Sequence, residues 1–411
     1  MNATKRSLLI FYTLVALFTG VDMALVIGLF WSSLKTTGSP LALGAVLCIS
    51  VLLPWGLQQL ASKKSSSGML GLKTLSVLRA ATFGFIFVFS MLGMFHMLYG
   101  FILIALLIGI VDFFTMSALE SANTRLTLAG ALSSGYSSRY MQTAIQLGAF
   151  GGAAVGGIAL DGYGIDRFSL FLCVAGVSTA ALARYLPGKQ ISPAPSDPHQ
   201  CHASAEGAPV IGNTEGIDTR LMRTLCLGLG MIGFHIAAFN TLTPVVYQNL
   251  NHWTAADFGF ASGVAGAGAF LAAFLPPLRV PNYVPALLIV AMDSMLVFAP
   301  TPLLSIGACF LIGYSINHLR IQLRRKLTDI AHTEHQADYV AAHSAFYYLL
   351  MQSAAPLILA GLISGPIFSQ LAAPTIFIVV ALILLISVAV LPRFIGAKKT
   401  PAELSRTTTV T

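Results

Sequence analysis

Asp22, Asp112, His235 and His318 are ionisable side chains that lie inside long apolar stretches of this sequence. Carboxylates and imidazoles can pass protons to one another, and an imidazole does so close to neutral pH. An ionisable group in hydrocarbon costs roughly 2.5–3.5 kcal/mol, so each one needs a function or a buried hydrogen bond. Asp22 and Asp112 fit a proton-binding site, with a hydrogen bond to a neighbouring helix as the alternative. His235 fits a proton relay or a buried hydrogen bond.

The apolar stretches number about twelve, and most hold the roughly 20 residues with which an α-helix crosses a bilayer. They are residues 7–33, 41–61, 74–93, 97–119, 138–160, 167–186, 221–248, 257–277, 283–300, 302–319, 339–365 and 370–392. All but three of the 23 lysines and arginines fall at the two termini or in alternate loops. Such a bias is typical of cytoplasmic loops. The sequence therefore predicts an all-α, polytopic membrane protein with 12 transmembrane helices and both termini in the cytoplasm.

Two charged residues inside apolar stretches need a separate interpretation. Arg79 lies near the start of the third stretch, where its long side chain is expected to reach the inner headgroups. Asp293 lies in the middle of the ninth stretch, and a buried hydrogen bond between helices is its only evident role.

The composition excludes several classes of protein. Charged residues make up 9% of the chain and hydrophobic residues 56%, far from the balance of a soluble domain. The net charge of +8 lies at the ends of the apolar stretches, which argues against a nucleic-acid partner and for contact with anionic lipid headgroups. The chain has no C-x-x-C pair, no Walker motif and no H-E-x-x-H set. We therefore expect neither a metal nor a cofactor, and no enzyme activity.

A polar, proline-rich stretch divides the chain into two halves. Residues 187–219 cannot bury a core and read as a flexible cytoplasmic linker. The predicted domains are an N-terminal six-helix bundle (1–186), this linker, a C-terminal six-helix bundle (220–393) and a cytoplasmic tail (394–411). Two such halves that are related by pseudo-symmetry are the layout of an alternating-access transporter.

With this layout the chain resembles the major facilitator superfamily over its whole length. The most specific element is a run of glycines in the fifth stretch, at Gly148, Gly152, Gly156 and Gly157. It is similar to the antiporter motif G-x-x-x-G-P-x-x-G-G, with Ala153 in place of the proline. Glycines four residues apart also allow close helix packing of no special function. The loop between the second and third helices departs from the family, because its basic residues lack an acidic partner.

The resemblance implies that helices one, four, seven and ten line a central cavity. The polar residues on these helices and on helices five and eleven would then form the proton-coupling and substrate site: Asp22, Asp112, His235, Asn240, Asn317, His318, Gln142, Gln146, Tyr348 and Gln352. Charged residues at the inner ends of helices four and ten would form a cytoplasmic gate, or would be ordinary headgroup anchors: Glu120, Arg125, Arg320 and Arg324.

The function that follows is secondary active transport. The glycine run favours a proton-coupled exporter of a small organic molecule such as a siderophore or a drug. The alternative is a proton-coupled importer of a siderophore or a nutrient. The expected partners are the substrate, protons and the lipid bilayer. The expected protein is a monomer in the bacterial cytoplasmic membrane.

Overall fold

The structure is a computed structural model and describes residues 3–63, 72–128, 132–183, 218–275, 280–330, 334–365 and 369–390. Within these ranges the chain forms 11 α-helices and no strand. The helices are α1 Ala3–Thr37, α2 Pro40–Lys63, α3 Leu72–Met91, α4 Leu98–Leu128, α5 Ser134–Leu182, α6 Thr219–Val245, α7 Ala255–Phe274, α8 Tyr283–Phe298, α9 Pro302–Asp329, α10 Glu334–Ser364 and α11 Ala373–Leu385. The predicted all-α membrane fold is therefore confirmed.

The long helix α5 contains a break, and the sequence predicts a separate apolar stretch on each side of it. Gly164 has φ 70° and ψ 170°, a non-helical conformation that residues with a side chain rarely adopt. The break divides α5 into two arms, which correspond to the predicted stretches 138–160 and 167–186. Among the described residues, 9 helices are long and apolar enough to cross a membrane, and two shorter apolar helices accompany them. The number of 12 spans stays a prediction.

Local sequence signals explain where the C-terminal half begins its helices. The Asp218 carboxylate accepts hydrogen bonds from the backbone N–H groups of Arg220 and Leu221, which caps α6. Thr254 and Asp257 form a capping box at the start of α7. Most of the predicted linker and all of the predicted tail lie outside the described residues, so the predicted domain boundaries stay predictions.

Glycines let α5 approach two other helices closely. A Cβ atom on Gly152 would overlap the carbonyl oxygen of Gly20, and one on Gly156 would lie 2.8 Å from the Cα atom of Ala24. A Cβ atom on Gly157 would lie 2.5 Å from the carbonyl oxygen of Ala255. The first two contacts join α5 to α1 within the N-terminal half. The third joins α5 to α7 across the two halves.

The two halves meet at the end of the molecule where α1 ends and α7 begins, which we call the closed end. The Trp31 and Phe258 rings stack there with centroids 5.9 Å apart. The Asp161 carboxylate accepts a hydrogen bond from the backbone N–H of Ala255, in the first turn of α7. At the opposite end, side chains such as Arg125 are exposed. The predicted orientation places the closed end outside the cell.

Candidate functional site

A buried ion pair joins α1 to α3. Arg79 Nη2 donates to Asp22 Oδ1 at 2.7 Å, and Nη1 donates to Asp22 Oδ2 at 2.8 Å, so the guanidinium binds the carboxylate in a bidentate manner. Nη1 also donates to Thr115 Oγ1 on α4 at 2.9 Å. The Arg79 side chain is 0% exposed. The prediction that Arg79 reaches the headgroups is wrong, because its charge is neutralised inside the N-terminal half.

Aromatic rings complete the surroundings of this pair. The Phe18 ring lies one turn before Asp22 on α1, with its centroid 4.1 Å from the Arg79 Cζ atom. The Phe83 ring lies one turn after Arg79 on α3, at 5.5 Å. A cation over an aromatic face is attracted by the electron density of the ring. The arginine is thus held by the helices on which it and its carboxylate lie.

Asp112 is the second acidic residue at this site, and its surroundings differ. It lies on α4, three residues before Thr115 and therefore on the same side of the helix. Its side chain is exposed, whereas Asp22 is buried. Asp112 nevertheless interacts electrostatically with both Asp22 and Arg79. The structure thus brings the two predicted acids to one site and adds an arginine that the sequence analysis had placed elsewhere.

A second buried pair lies in the C-terminal half. His235 Nε2 on α6 and Asp293 Oδ2 on α8 share a hydrogen bond of 2.6 Å, and both side chains are 0% exposed. The His235 ring stacks on Phe377 of α11, with centroids 5.6 Å apart. The hydrogen bond between helices that Asp293 was expected to make is present. His235 faces this bond rather than an open cavity.

The remaining predicted polar residues of α9 make contacts of their own. Asn317 Nδ2 donates to the carbonyl oxygen of Ala269 on α7 at 2.6 Å, which ties the two helices together. His318 is buried, and its Nε2 atom lies 2.7 Å from the Nε2 atom of Gln322. Neither residue is available to a large substrate in this conformation.

The polar residues predicted on α5, α6 and α10 differ in exposure. Gln142 is exposed, and Asn240, Gln146, Tyr348 and Gln352 are partly buried. Tyr348 packs its ring against Gly233 of α6, where a Cβ atom would lie 3.2 Å from a ring carbon. The structure therefore does not gather all of the predicted residues into one cluster.

The four predicted gate residues form no ion pair among the residues that the structure describes. Glu120, Arg125 and Arg324 are exposed, and Arg320 is partly buried. A gate at this end would close in the opposite conformation of the transport cycle, so its role stays a prediction.

Comparison with known proteins identifies the fold. No model of a protein family matches the sequence, and no curated protein matches it either. The nucleoside transporter NupG matches with a TM-score of 0.70 at 11% identity, over 97% of this chain and 100% of its own. A bacterial homologue of the human lysosomal transporter Spinster, inward-facing and occupied, matches at 0.66 and 11% identity, over 98% and 99%. The chain has the fold of these two transporters.

The two buried pairs lie in a fold that solved transporter structures share. The described residues include nine helices that are long and apolar enough to cross a membrane, and the chain is an integral membrane protein. Asp22 and His235 lie on the first helix of each half. The identity of 11% is too low to transfer a substrate or a direction from these neighbours.

Proposed function

We propose that this protein is a proton-coupled secondary transporter that exports a small organic molecule, such as a siderophore or a drug, across the bacterial cytoplasmic membrane. The observation that carries the proposal is the buried pair of Asp22 and Arg79 beside the exposed carboxylate of Asp112. Coupling needs a group that binds a proton in one conformation and releases it in another. This site offers such a group.

The charges at the site explain why it binds one proton. An arginine stays charged in proteins, so Arg79 supplies one positive charge. Asp22 neutralises that charge, and an ionised Asp112 leaves the site with a net charge of −1. A net charge is costly in a membrane interior, and one proton removes it. We infer that Asp112 is the proton carrier, since protonating Asp22 would remove the counter-ion of Arg79.

The same charges make proton and substrate compete. Without the proton, the carboxylate of Asp112 accepts a hydrogen bond from a donor group of the substrate. With the proton, that hydrogen bond is lost and the substrate leaves. Binding of one or the other, but not both, is the condition for antiport. The glycine run of α5 supports export, because it resembles the antiporter motif and packs against α1 beside Asp22.

The test is proton movement evoked by solutes in proteoliposomes that contain a trapped pH-sensitive dye. A panel of small organic molecules is added to the wild-type protein, and transported solutes are expected to shift the internal pH. Asp112→Asn should abolish that shift at unchanged protein level. Asp166→Asn is the matched control, because Asp166 is an exposed carboxylate that pairs with His96 away from the site.

The direction of transport is tested with a radiolabelled solute from the same panel. An outward proton gradient and an inward one are imposed in turn. Accumulation of solute against the proton flow supports antiport and export, whereas accumulation with the proton flow supports the importer. Solute movement that no pH gradient alters would contradict proton coupling altogether.

A further inference from the structure

Two arginines lie among the packed helices of this protein, and only one of them has its charge neutralised. Arg79 has a carboxylate, a hydroxyl and an aromatic face around it. Arg320 on α9 has only an aromatic face, the ring of Tyr348 on α10, at 5.0 Å from its Cζ atom. Its Nε atom is buried without a hydrogen-bond partner. Among the residues that the structure describes, no carboxylate pairs with it.

Of the acidic residues in the C-terminal half, those whose side chains the structure describes do not supply the missing charge. Asp218 caps α6, Asp257 caps α7 and Asp293 binds a histidine. Asp329 is exposed at the last residue of α9, nine positions beyond Arg320 and therefore about 13 Å along the helix. An unpaired, partly buried guanidinium is costly, so an anion that binds it would stabilise the site.

The surroundings of Arg320 favour an anion. Arg324 lies one turn further along α9, is exposed and interacts electrostatically with Arg320. The Tyr348 ring packs against Gly233 of α6, where a Cβ atom would lie 3.2 Å from a ring carbon, so a side chain at Gly233 would press on the ring. The Nη atoms of the partly buried Arg320 present N–H groups in the fork arrangement that matches a carboxylate or a phosphate.

We propose that Arg320 and Tyr348 bind the anionic group of the transported molecule, a carboxylate or a phosphate next to a planar organic moiety. The inference rests on the proposed transport function and names the chemical class of its substrate. The guanidinium holds the anion through its Nη N–H groups, and the Tyr348 ring packs against the guanidinium. This assigns Arg320 to the substrate site rather than to the predicted gate.

The proposal is tested by arginine labelling of the full-length protein in detergent. Phenylglyoxal modifies accessible guanidinium groups, and mass spectrometry gives the rate at each arginine. Without added anion, Arg320 should react, and the buried Arg79 should not. Benzoate or phenyl phosphate should slow the labelling of Arg320, while the neutral benzamide should not. Exposed Arg139, on α5, serves as the internal reference.

Two results would overturn the proposal. One is equal protection by benzamide and benzoate, which would show that the site does not select charge. The other concerns lipid as the source of the anion. The labelling is repeated in nanodiscs of phosphatidylcholine and of phosphatidylcholine with phosphatidylglycerol. Protection by phosphatidylglycerol alone, with none by the soluble anions, would make Arg320 a lipid contact.

A transport measurement separates this inference from the proposed function. For any anionic solute that evokes proton movement, Arg320→Gln should raise KM by about 10- to 150-fold, since a hydrogen bond to a charged group is lost. Arg320→Lys should recover only part of that affinity, because an ammonium lacks the fork. Asp112→Asn should leave benzoate protection intact while it abolishes proton movement. If solutes still evoke proton movement but neither benzoate nor phenyl phosphate protects Arg320, the anion site is contradicted and the proposed transport function is not.

Discussion

Removing the charge of Asp22 should destabilise the protein strongly. In Asp22→Asn, the guanidinium of Arg79 stays buried without a counter-ion, although its hydrogen bond to Thr115 survives. Breaking one partner of a buried ion pair costs about 3–5 kcal/mol. Domains of 150–250 residues lose about 2–4 °C in Tm for each kcal/mol, and larger ones lose less, so we expect a drop of roughly 6–10 °C.

The buried thiols of this chain provide the assay. The four cysteines that the structure describes are free and buried: Cys48, Cys173, Cys226 and Cys309. A thiol-reactive fluorescent dye therefore reports unfolding of the purified protein as the temperature rises. Asp166→Asn is the matched control, because Asp166 is exposed and lies away from the site, so this change should alter the stability by no more than about 0.5 kcal/mol.

A double variant distinguishes a lost pair from a general defect. Asp22→Asn combined with Arg79→Met removes both charges, so no uncompensated charge stays buried. Its Tm should lie well above that of Asp22→Asn alone. In a double-mutant cycle, the loss of stability in the double variant should therefore be smaller than the sum of the losses in the two single variants. If Asp22→Asn melts within about 2 °C of the wild type, the pair contributes little and the charge accounting at the site is refuted.

Three further predictions concern packing, the closed end and the second pair. Gly152→Val should separate α5 from α1 and impair transport in vesicles at matched protein levels, while Gly151→Val, which has open space, should not. Asp161→Asn should weaken the contact with the start of α7 by about 0.3–1 kcal/mol and open the closed end about 2- to 5-fold more often. Distances between spin labels on the outer ends of α1 and α7 measure this, with Asp166→Asn as the control. Asp293→Leu should cost about 1–3 kcal/mol in the thiol-dye assay, because its histidine partner loses a buried hydrogen bond. No change in any of these variants would contradict the corresponding contact.

The sequence predicts the helices of this fold well, because length and hydropathy determine them. The stretch 7–33 lies inside α1 (Ala3–Thr37), and 257–277 overlaps α7 (Ala255–Phe274). Length and hydropathy do not predict which side chain pairs with a buried charge. An arginine near the end of a stretch can reach the headgroups or turn inward, and the choice depends on the rotation of its helix. That rotation follows from packing against neighbours that are distant in sequence.

A second reason concerns the helices that the family resemblance does not place around the central cavity. Arg79 on α3 and Asp293 on α8 lie on the third helix of each half, which is not among the predicted cavity helices. Both point inward to the first helix of their half, α1 or α6. The signal that could have found them is spacing, since a titratable residue on each first helix has an oppositely charged one about 57 positions later.

The two pairs are equivalent in position and opposite in order. The residues of the first pair are 57 positions apart and those of the second 58. The acid lies on the first helix in the N-terminal half and on the third in the C-terminal half. A comparison of residue identities between the halves misses this relation, whereas a comparison of buried pairs shows it. Each pair fastens the first helix of its half to the third, so each half can move as a unit. The difference lies in the base: the Arg79 guanidinium makes two hydrogen bonds to Asp22 and one to Thr115, whereas the His235 ring makes one hydrogen bond to Asp293. An arginine stays charged in proteins, and the pair that contains it is the one beside Asp112, where the substrate and the proton of the proposed mechanism would compete.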